Sequence, residues 1–76
     1  MSVKARVNTP AELGTALREF RSRAGLSQRE LAAELGVSQR YVWELEQGEP
    51  GKVTDRLFAV LRLLHVRMTL EQADEQ

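Results

Sequence analysis

The sequence contains no cysteine and only one histidine among its 76 residues. A disulfide framework and a zinc site with thiolate ligands are therefore excluded. The residues present form no carboxylate pair, no nucleophile with an adjacent base and no phosphate-binding loop, so we expect no enzyme, metal or cofactor. A domain this short seldom buries enough apolar surface to be stable alone, which favours association with a second chain.

Long hydrophobic runs are also missing, and no charged start precedes a signal-peptide core. We therefore expect a soluble, cytoplasmic protein. Neither sign of charge is in excess, because 11 basic and 11 acidic residues give a net charge of zero. That total argues against a nucleic-acid binder, whose surface is normally basic. The acids are concentrated at the end, however, and residues 1–70 hold 11 bases and 8 acids, a net charge of +3.

Two short segments alternate between apolar and polar residues, as half-buried strands do. They are residues 2–7 and residues 66–71, and residues 72–76 are expected to form a frayed acidic tail. An isolated strand needs a partner, which can lie in the same chain or across the two-fold axis of a dimer. We favour an intermolecular sheet that includes at least the C-terminal strand.

Four helices are predicted between these strands. They run from Pro10 to about Ala24, from Gln28 to Leu35, from Gln39 to about Gln47, and from near Thr54 to about Leu64. Thr9, Ser27 and Ser38 can each cap the helix that follows, and Pro10 suits a first helical position. Gly36 and Gly48 can take the left-handed conformation that ends a helix.

The fourth helix is apolar on more than one side. Its large apolar residues are Leu57, Phe58, Val60, Leu61, Leu63 and Leu64. Since a small core cannot cover so wide a stripe, we expect a second subunit to bury the surplus. The residues predicted in this dimer interface are Leu63, Val66, Met68 and Leu70. One domain is thus expected over residues 1–76, with a helical body at 10–64, a dimerisation strand at 66–71 and a tail at 72–76.

Only three residues, Gly36, Val37 and Ser38, separate the second and third helices. So short a break makes the helices cross steeply, which is typical of a helix-turn-helix. Val37, Val42 and Leu45 are expected to pack inward. The residues left on the outer face, at its edge or beside it are Gln28, Gln39, Arg40, Tyr41, Trp43 and Glu44.

Glutamine and arginine on such a face suit DNA, because each can make two hydrogen bonds to a base edge in the major groove. Helix N-termini can hold phosphates, and the basic side chains of Arg29 and Lys52 can add to those contacts. The candidate DNA-binding residues are Gln28, Arg29, Ser38, Gln39, Arg40, Tyr41, Trp43, Glu44 and Lys52. The structural alternatives are a solvated helix face for Gln39 and Arg40, and burial against the fourth helix for Trp43.

These motifs resemble the Xre/Cro type of phage repressor. The resemblance covers residues 10–64 and rests on Leu26-Ser27-Gln28, Leu31-Ala32, Gly36-Val37-Ser38 and Leu45-Glu46-Gln47-Gly48. It implies an all-α helix-turn-helix domain of four to five helices, in which Gln39 and Arg40 read base edges. It also implies that Gln28 contacts a phosphate or an outer base and braces Gln39. A partly buried ion pair between Arg21 and Glu46 would fix the helix register.

The two ends of the helical body resemble HipB-type antitoxins. The residues that carry this resemblance are Thr9-Pro10-Ala11-Glu12-Leu13 and Leu63-Leu64-His65-Val66-Arg67-Met68-Thr69-Leu70. It implies a homodimer in which the short C-terminal strand pairs with its two-fold mate, bound to an inverted-repeat operator in double-stranded DNA. It further implies repression of the protein's own operon and a HipA-like kinase toxin as partner.

Three side chains depart from the Xre/Cro pattern. Glu44 places an acid on the DNA-facing side, and Tyr41 and Trp43 are bulkier than the small polar residues usual there. The aromatic residues can stack on sugars, touch a thymine methyl group or contact another protein. Two alternatives therefore stay open, namely a stand-alone phage- or plasmid-type repressor and an adaptor that binds only protein.

Overall fold

A computed structural model of the chain describes residues 3–48 and 51–73, apart from the side chains of Lys52 and Val53. The elements in chain order are β1 (Val3–Val7), α1 (Pro10–Arg23), α2 (Gln28–Leu35), α3 (Gln39–Glu46), α4 (Lys52–Leu63) and β2 (Met68–Gln72). The helices and strands thus follow in the predicted order. Within the described ranges, none of the helices has both the length and the apolar character needed to cross a membrane.

Side-chain caps explain where the first three helices begin. The hydroxyl of Thr9 accepts a hydrogen bond from the backbone N–H of Glu12 at 3.1 Å, ahead of α1. Ser27 and Glu30 form a complete capping box at the start of α2, and Ser38 caps α3 through the N–H of Tyr41. The fourth helix has no side-chain cap and begins at Lys52, two residues before the predicted start near Thr54.

The two strands pair with each other in one chain. They are antiparallel, with Val3 opposite Gln72 and Val7 opposite Met68. We favoured a sheet between chains, and the structure instead gives β2 a partner in its own chain. This pairing lets Val7 and the half-buried Met68 and Leu70 pack against the protomer's own core. A sheet that continues into a second chain therefore stays a prediction.

The second strand also has different bounds from those predicted. It begins at Met68 rather than at residue 66, because the N–H of Val66 is still bonded to the carbonyl of Leu61 and closes the end of α4. It includes Gln72, which we placed in the acidic tail. The side-chain amide of Gln72 donates to the carbonyl of Phe20 at 2.8 Å, and this bond fastens the strand to α1. Residues 74–76 of the predicted tail lie outside the described residues.

The main core lies between the sheet, α1 and α4. Its buried members are Val7, Ala16 and Phe58. In the helix-turn-helix, Ala32 and Val42 are buried, but Val37 and Leu45 are 38% and 39% exposed and do not pack inward as expected. Leu45 remains partly open because α4 packs against α1 and leaves an apolar groove, lined in part by Leu45, between α1, α2 and α3.

Candidate nucleic-acid interface

Four of the predicted site residues lie around one open depression, which we call the α3 cavity. Its lining consists of Gln28, Gln39, Arg40 and Trp43, and its volume is about 300 Å³. Gln28 comes from the first turn of α2, and the other three come from α3. The structure therefore brings together an amide pair, a guanidinium and an indole on one side of the helix-turn-helix.

The turn between α2 and α3 sets the direction of this surface. Gly36 takes the left-handed conformation (φ 71°) and ends α2, and Ser38 starts α3 two residues later. Glycine adopts that backbone conformation at no steric cost, because it has no Cβ atom. Val42 on the opposite side of α3 is 3% exposed, so α3 is held by its apolar side and its polar side faces out.

Arg40 is the most accessible charged group at the cavity. Its side chain is 78% exposed and its Nε lies 3.3 Å from a carboxylate oxygen of Glu44, one helical turn later. A solvent-exposed pair at this spacing contributes only about 0.3–0.5 kcal/mol. The guanidinium can therefore leave Glu44 for another acceptor at small cost, while Glu44 orients it in the free protein.

Behind the cavity, Glu46 joins the first three helices. Its carboxylate accepts from the guanidinium of Arg21 through Nε at 2.5 Å and Nη2 at 3.2 Å. It also accepts from the side-chain amide of Gln28 at 2.9 Å. The remaining guanidinium nitrogen of Arg21, Nη1, donates a hydrogen bond to the carbonyl of Leu26 at 2.8 Å. These bonds tie α1, the start of α2 and the end of α3 together.

The electrostatics of this cluster favour the charged forms. Burial raises the pKa of Glu46, but hydrogen bonds from Arg21 and Gln28 and the positive charges of Arg21 and Arg18 outweigh burial, so the pKa lies below its ordinary value of 4.5. The hydrogen bond to Glu46 raises the pKa of Arg21, against the opposing effect of burial. Both groups are therefore ionised at neutral pH.

The amide nitrogen of Gln28 has a partner that the sequence did not predict. The family resemblance implied that this residue braces Gln39, whereas its amide donates to Glu46. A carboxylate is a stronger acceptor than a neutral amide, so the choice has a physical reason. Gln28 still lines the α3 cavity together with Gln39, and its bond to Glu46 fixes the orientation of its amide.

The remaining predicted residues are distributed around the cavity rather than in its lining. Tyr41 is 51% exposed and lines the apolar groove. Successive residues of an α-helix are about 100° apart around its axis, so Tyr41 lies on the other side of α3 from Gln39 and Trp43, which are two positions away. The hydroxyl of Ser38 is engaged in its cap. Arg29 is exposed in the first turn of α2, and the side chain of Lys52 lies outside the described residues.

One residue that the sequence analysis missed is Gly14. A Cβ atom at this position would lie 2.4 Å from the carbonyl oxygen of Glu46, so only glycine lets α1 lie this close to the end of α3. The close approach brings Arg21 within reach of Glu46. A glycine inside an otherwise helical pattern is the signal that could have indicated it.

This arrangement of two short helices around a glycine turn defines a helix-turn-helix protein. The chain belongs to the helix-turn-helix domain family, whose model matches residues 12–74. It is similar to the uncharacterized HTH-type transcriptional regulator y4mF of Sinorhizobium fredii (strain NBRC 101917 / NGR234), with 37% identity over 59 residues, 78% of each chain. No solved structure matches the chain significantly. The family match confirms the predicted helix-turn-helix.

Proposed function

We propose that this protein is a sequence-specific DNA-binding transcriptional repressor that places α3 in the major groove. The observation that carries the proposal is the α3 cavity, where Gln28, Gln39, Arg40 and Trp43 share one open surface. An α-helix fits the major groove, and glutamine and arginine are the side chains that pair there with adenine and guanine. The similarity to an HTH-type transcriptional regulator supports the same assignment.

Three residues of the α3 cavity, and Glu44 beside it, receive roles from their geometry. Arg40, with its side chain 78% exposed, is assigned to the O6 and N7 atoms of a guanine. Gln39, exposed in the first turn of α3, is assigned to an adenine. Trp43 is 41% exposed and offers an apolar surface to a sugar or a thymine methyl group. Glu44 can accept from a cytosine amino group once Arg40 has moved to a base.

Contacts with phosphates would fix the register of the helix on the duplex. The exposed Arg29 lies in the first turn of α2, beside the cavity residue Gln28, and is assigned to a phosphate. Lys52 at the start of α4 is proposed for the same role. The backbone N–H groups at the start of α3, after Ser38, offer further donors.

We propose further that the repressor acts as a homodimer on an inverted repeat. Apolar side chains that a single chain leaves exposed support this, among them Leu63 at 79% and Val66 at 50%. Each strand of the two-stranded sheet also has one edge unpaired within the described residues, where a copy of β2 can add. Two copies of α3 would then read two half-sites.

The finer proposal is that the protein is the HipB-like antitoxin of a HipA-like kinase. Its support is the Met68-Thr69-Leu70 segment, which the structure has in β2. Pull-down from the native host, read for co-purifying protein, tests it. A kinase-like protein in the eluate is expected, and its absence together with recovery of DNA favours the stand-alone repressor.

Selection from a pool of random duplex DNA tests the core of the proposal. We expect enrichment of an inverted repeat, and Arg40→Ala should weaken binding to it by about 1–3 kcal/mol and relax one base position. Gln39→Ala should relax a neighbouring position. Arg23→Ala, which removes an exposed charge from the last turn of α1, serves as the matched control and should bind with unchanged base preference.

Two outcomes would contradict the assignment. Equal affinity of wild type and Arg40→Ala for the selected site would remove Arg40 from base recognition. Failure to enrich any sequence at low salt would favour the adaptor alternative, in which the aromatic side chains of Tyr41 and Trp43 serve a protein partner.

A further inference from the structure

We propose that α4 of each protomer docks into the apolar groove of a second copy, so that two identical helix-in-groove contacts hold the dimer. The apolar groove is the depression between α1, α2 and α3 introduced above. The inference rests on the homodimer of the proposed function and specifies which surfaces meet.

The apolar groove is open to solvent and has an apolar lining that suits an apolar helix. Its volume is about 310 Å³, and its apolar lining includes Leu17, Leu31, Leu35, Tyr41 and Leu45. Leu35 is 61% exposed and Leu45 is 39% exposed, so the groove is open in the single chain. A contiguous exposed apolar surface of this kind marks an interaction site more often than an ordinary surface.

The same chain carries a matching helix face. Leu57, Val60 and Leu64 follow one another at spacings of three and four residues and are 43%, 49% and 62% exposed. Residues at this spacing lie on one side of a helix, where they form a stripe about 10 Å long. Leu63 borders the stripe and is 79% exposed.

A protomer cannot fill its groove with its own α4 and keep its core. Phe58 is 1% exposed and packs with Leu61 in the cluster that contains Val7 and Ala16. That side of α4 is rotated from the Leu57–Val60–Leu64 stripe, so turning the stripe inward would expose Phe58. The end of α4 is also held by the pairing of β2 with β1. The occupant that fits is therefore the helix of a second copy.

The exposed area agrees with this assignment. The protomer exposes 5909 Å², whereas a folded monomer of 8.6 kDa is expected to expose about 4,700 Å². A standard stable interface buries roughly 800 Å² on each partner. Reciprocal docking of α4, with Phe58 kept in its own core, would cover surplus surface on both the helix and the groove.

Cysteine cross-linking tests the geometry directly, because the chain has no cysteine of its own. Leu35→Cys marks the groove and Leu64→Cys marks the helix. We expect a mixture of the two single variants to form a disulfide-linked heterodimer under mild oxidation. Neither variant alone should cross-link to a comparable extent. Ala59→Cys, exposed on another side of α4, is the control and should not cross-link to Leu35→Cys.

A charge exchange provides a second measurement. Val60→Asp and Leu35→Arg each place a charge on one half of the contact, at positions that are 49% and 61% exposed. Each variant alone should sediment as a monomer with unchanged helical circular dichroism. Mixing them should restore a dimer, since one contact is then fully apolar and the other joins opposite charges.

Three results would overturn the inference. One is a wild-type protein that sediments as a monomer throughout. Another is strong self-cross-linking of Leu64→Cys with no link to Leu35→Cys, since α4 would then meet α4 of the partner. The third is a Leu35→Arg variant that remains dimeric while Val60→Asp does not. DNA selection separates the two proposals. If the wild-type protein enriches no DNA sequence but the expected cross-links still form, only the proposed function is contradicted.

Discussion

At the residue scale, Glu46 determines how the surface of the α3 cavity is held. A charged side chain that is almost entirely buried is costly unless it is paired and hydrogen-bonded, and Glu46 has both Arg21 and Gln28 as donors. The bond from Gln28 orients one wall of the α3 cavity. The ion pair therefore links the stability of the helix-turn-helix to the placement of the Gln28 amide at the α3 cavity.

Removing the charge of Glu46 should destabilise the protein in a pH-dependent way. The pKa of this carboxyl lies below its ordinary value of 4.5 in the folded state. Its contribution to stability is therefore complete above that ordinary value and is lost as the pH falls through the folded-state pKa. Glu46→Gln should lower the free energy of unfolding by about 3 kcal/mol at neutral pH, as when one partner of a buried pair is removed.

Chemical denaturation from neutral to acidic pH measures this effect. The wild-type and Glu46→Gln curves should converge at acidic pH, where the wild-type carboxyl is also neutral. Glu34→Gln, at an exposed position of α2, is the control. A difference between wild type and Glu46→Gln that stays constant with pH would contradict the ionised pair.

At the element scale, two glycines set the angles between helices. Gly36 ends α2 with a positive φ and allows α3 to start at once, while Gly14 allows α1 to touch the end of α3. The first is a matter of local backbone conformation. Gly14 matters for packing, because a Cβ atom added there would collide with backbone atoms of α3 that cannot move aside easily.

A Gly14→Ala substitution should therefore destabilise the fold. In an open helix this change would stabilise by up to about 1 kcal/mol. Here the added Cβ would lie 2.4 Å from the carbonyl oxygen of Glu46, and such overpacking costs typically about 1–3 kcal/mol. Thermal unfolding measures the difference. Gly51→Ala, where nothing lies within 4 Å of the new Cβ, should be tolerated, and a stabilised Gly14→Ala would refute the close α1–α3 contact.

At the scale of the whole molecule, a neutral total charge is compatible with DNA binding. The α3 cavity carries two amides, one guanidinium and one indole, which is a selective surface more than a strongly cationic one. The surplus apolar surface is the other whole-molecule feature. A dimer would both bury that surface and double the number of base contacts.

The proposed dimer has a fixed distance between its two recognition helices. Two-fold related helices of this kind read half-sites about 34–36 Å apart, one turn of DNA, or a multiple of that distance. Inserting about five base pairs, half a helical turn, between the half-sites should place them on opposite sides of the duplex. Gel-shift titration should then give a large loss of affinity. Unchanged affinity would indicate two independently bound monomers.

Much of this protein follows from local sequence signals. The three side-chain caps, the glycine at the end of α2 and the apolar periodicity predicted the first three helices correctly, and the start of the uncapped α4 to within two residues. The grouping of Gln28, Gln39, Arg40 and Trp43 followed from helical spacing and the short turn. These features depend on residues close together in the chain, whose preferences act before any distant contact forms.

Three features were decided only by the tertiary structure, because they depend on contacts between residues far apart in the chain. The pairing of β1 with β2, the bond from Gln28 to Glu46 and the orientation of Tyr41 toward the apolar groove all depend on how α1 and α4 pack. A strand pattern specifies a buried face but not its partner, because the same alternation suits pairing within or between chains. The sequence by itself determined the helix-turn-helix and its polar face. The packing of α4 against α1 decided which apolar surfaces remain for another molecule, because one helix can bury only one side in a core this small.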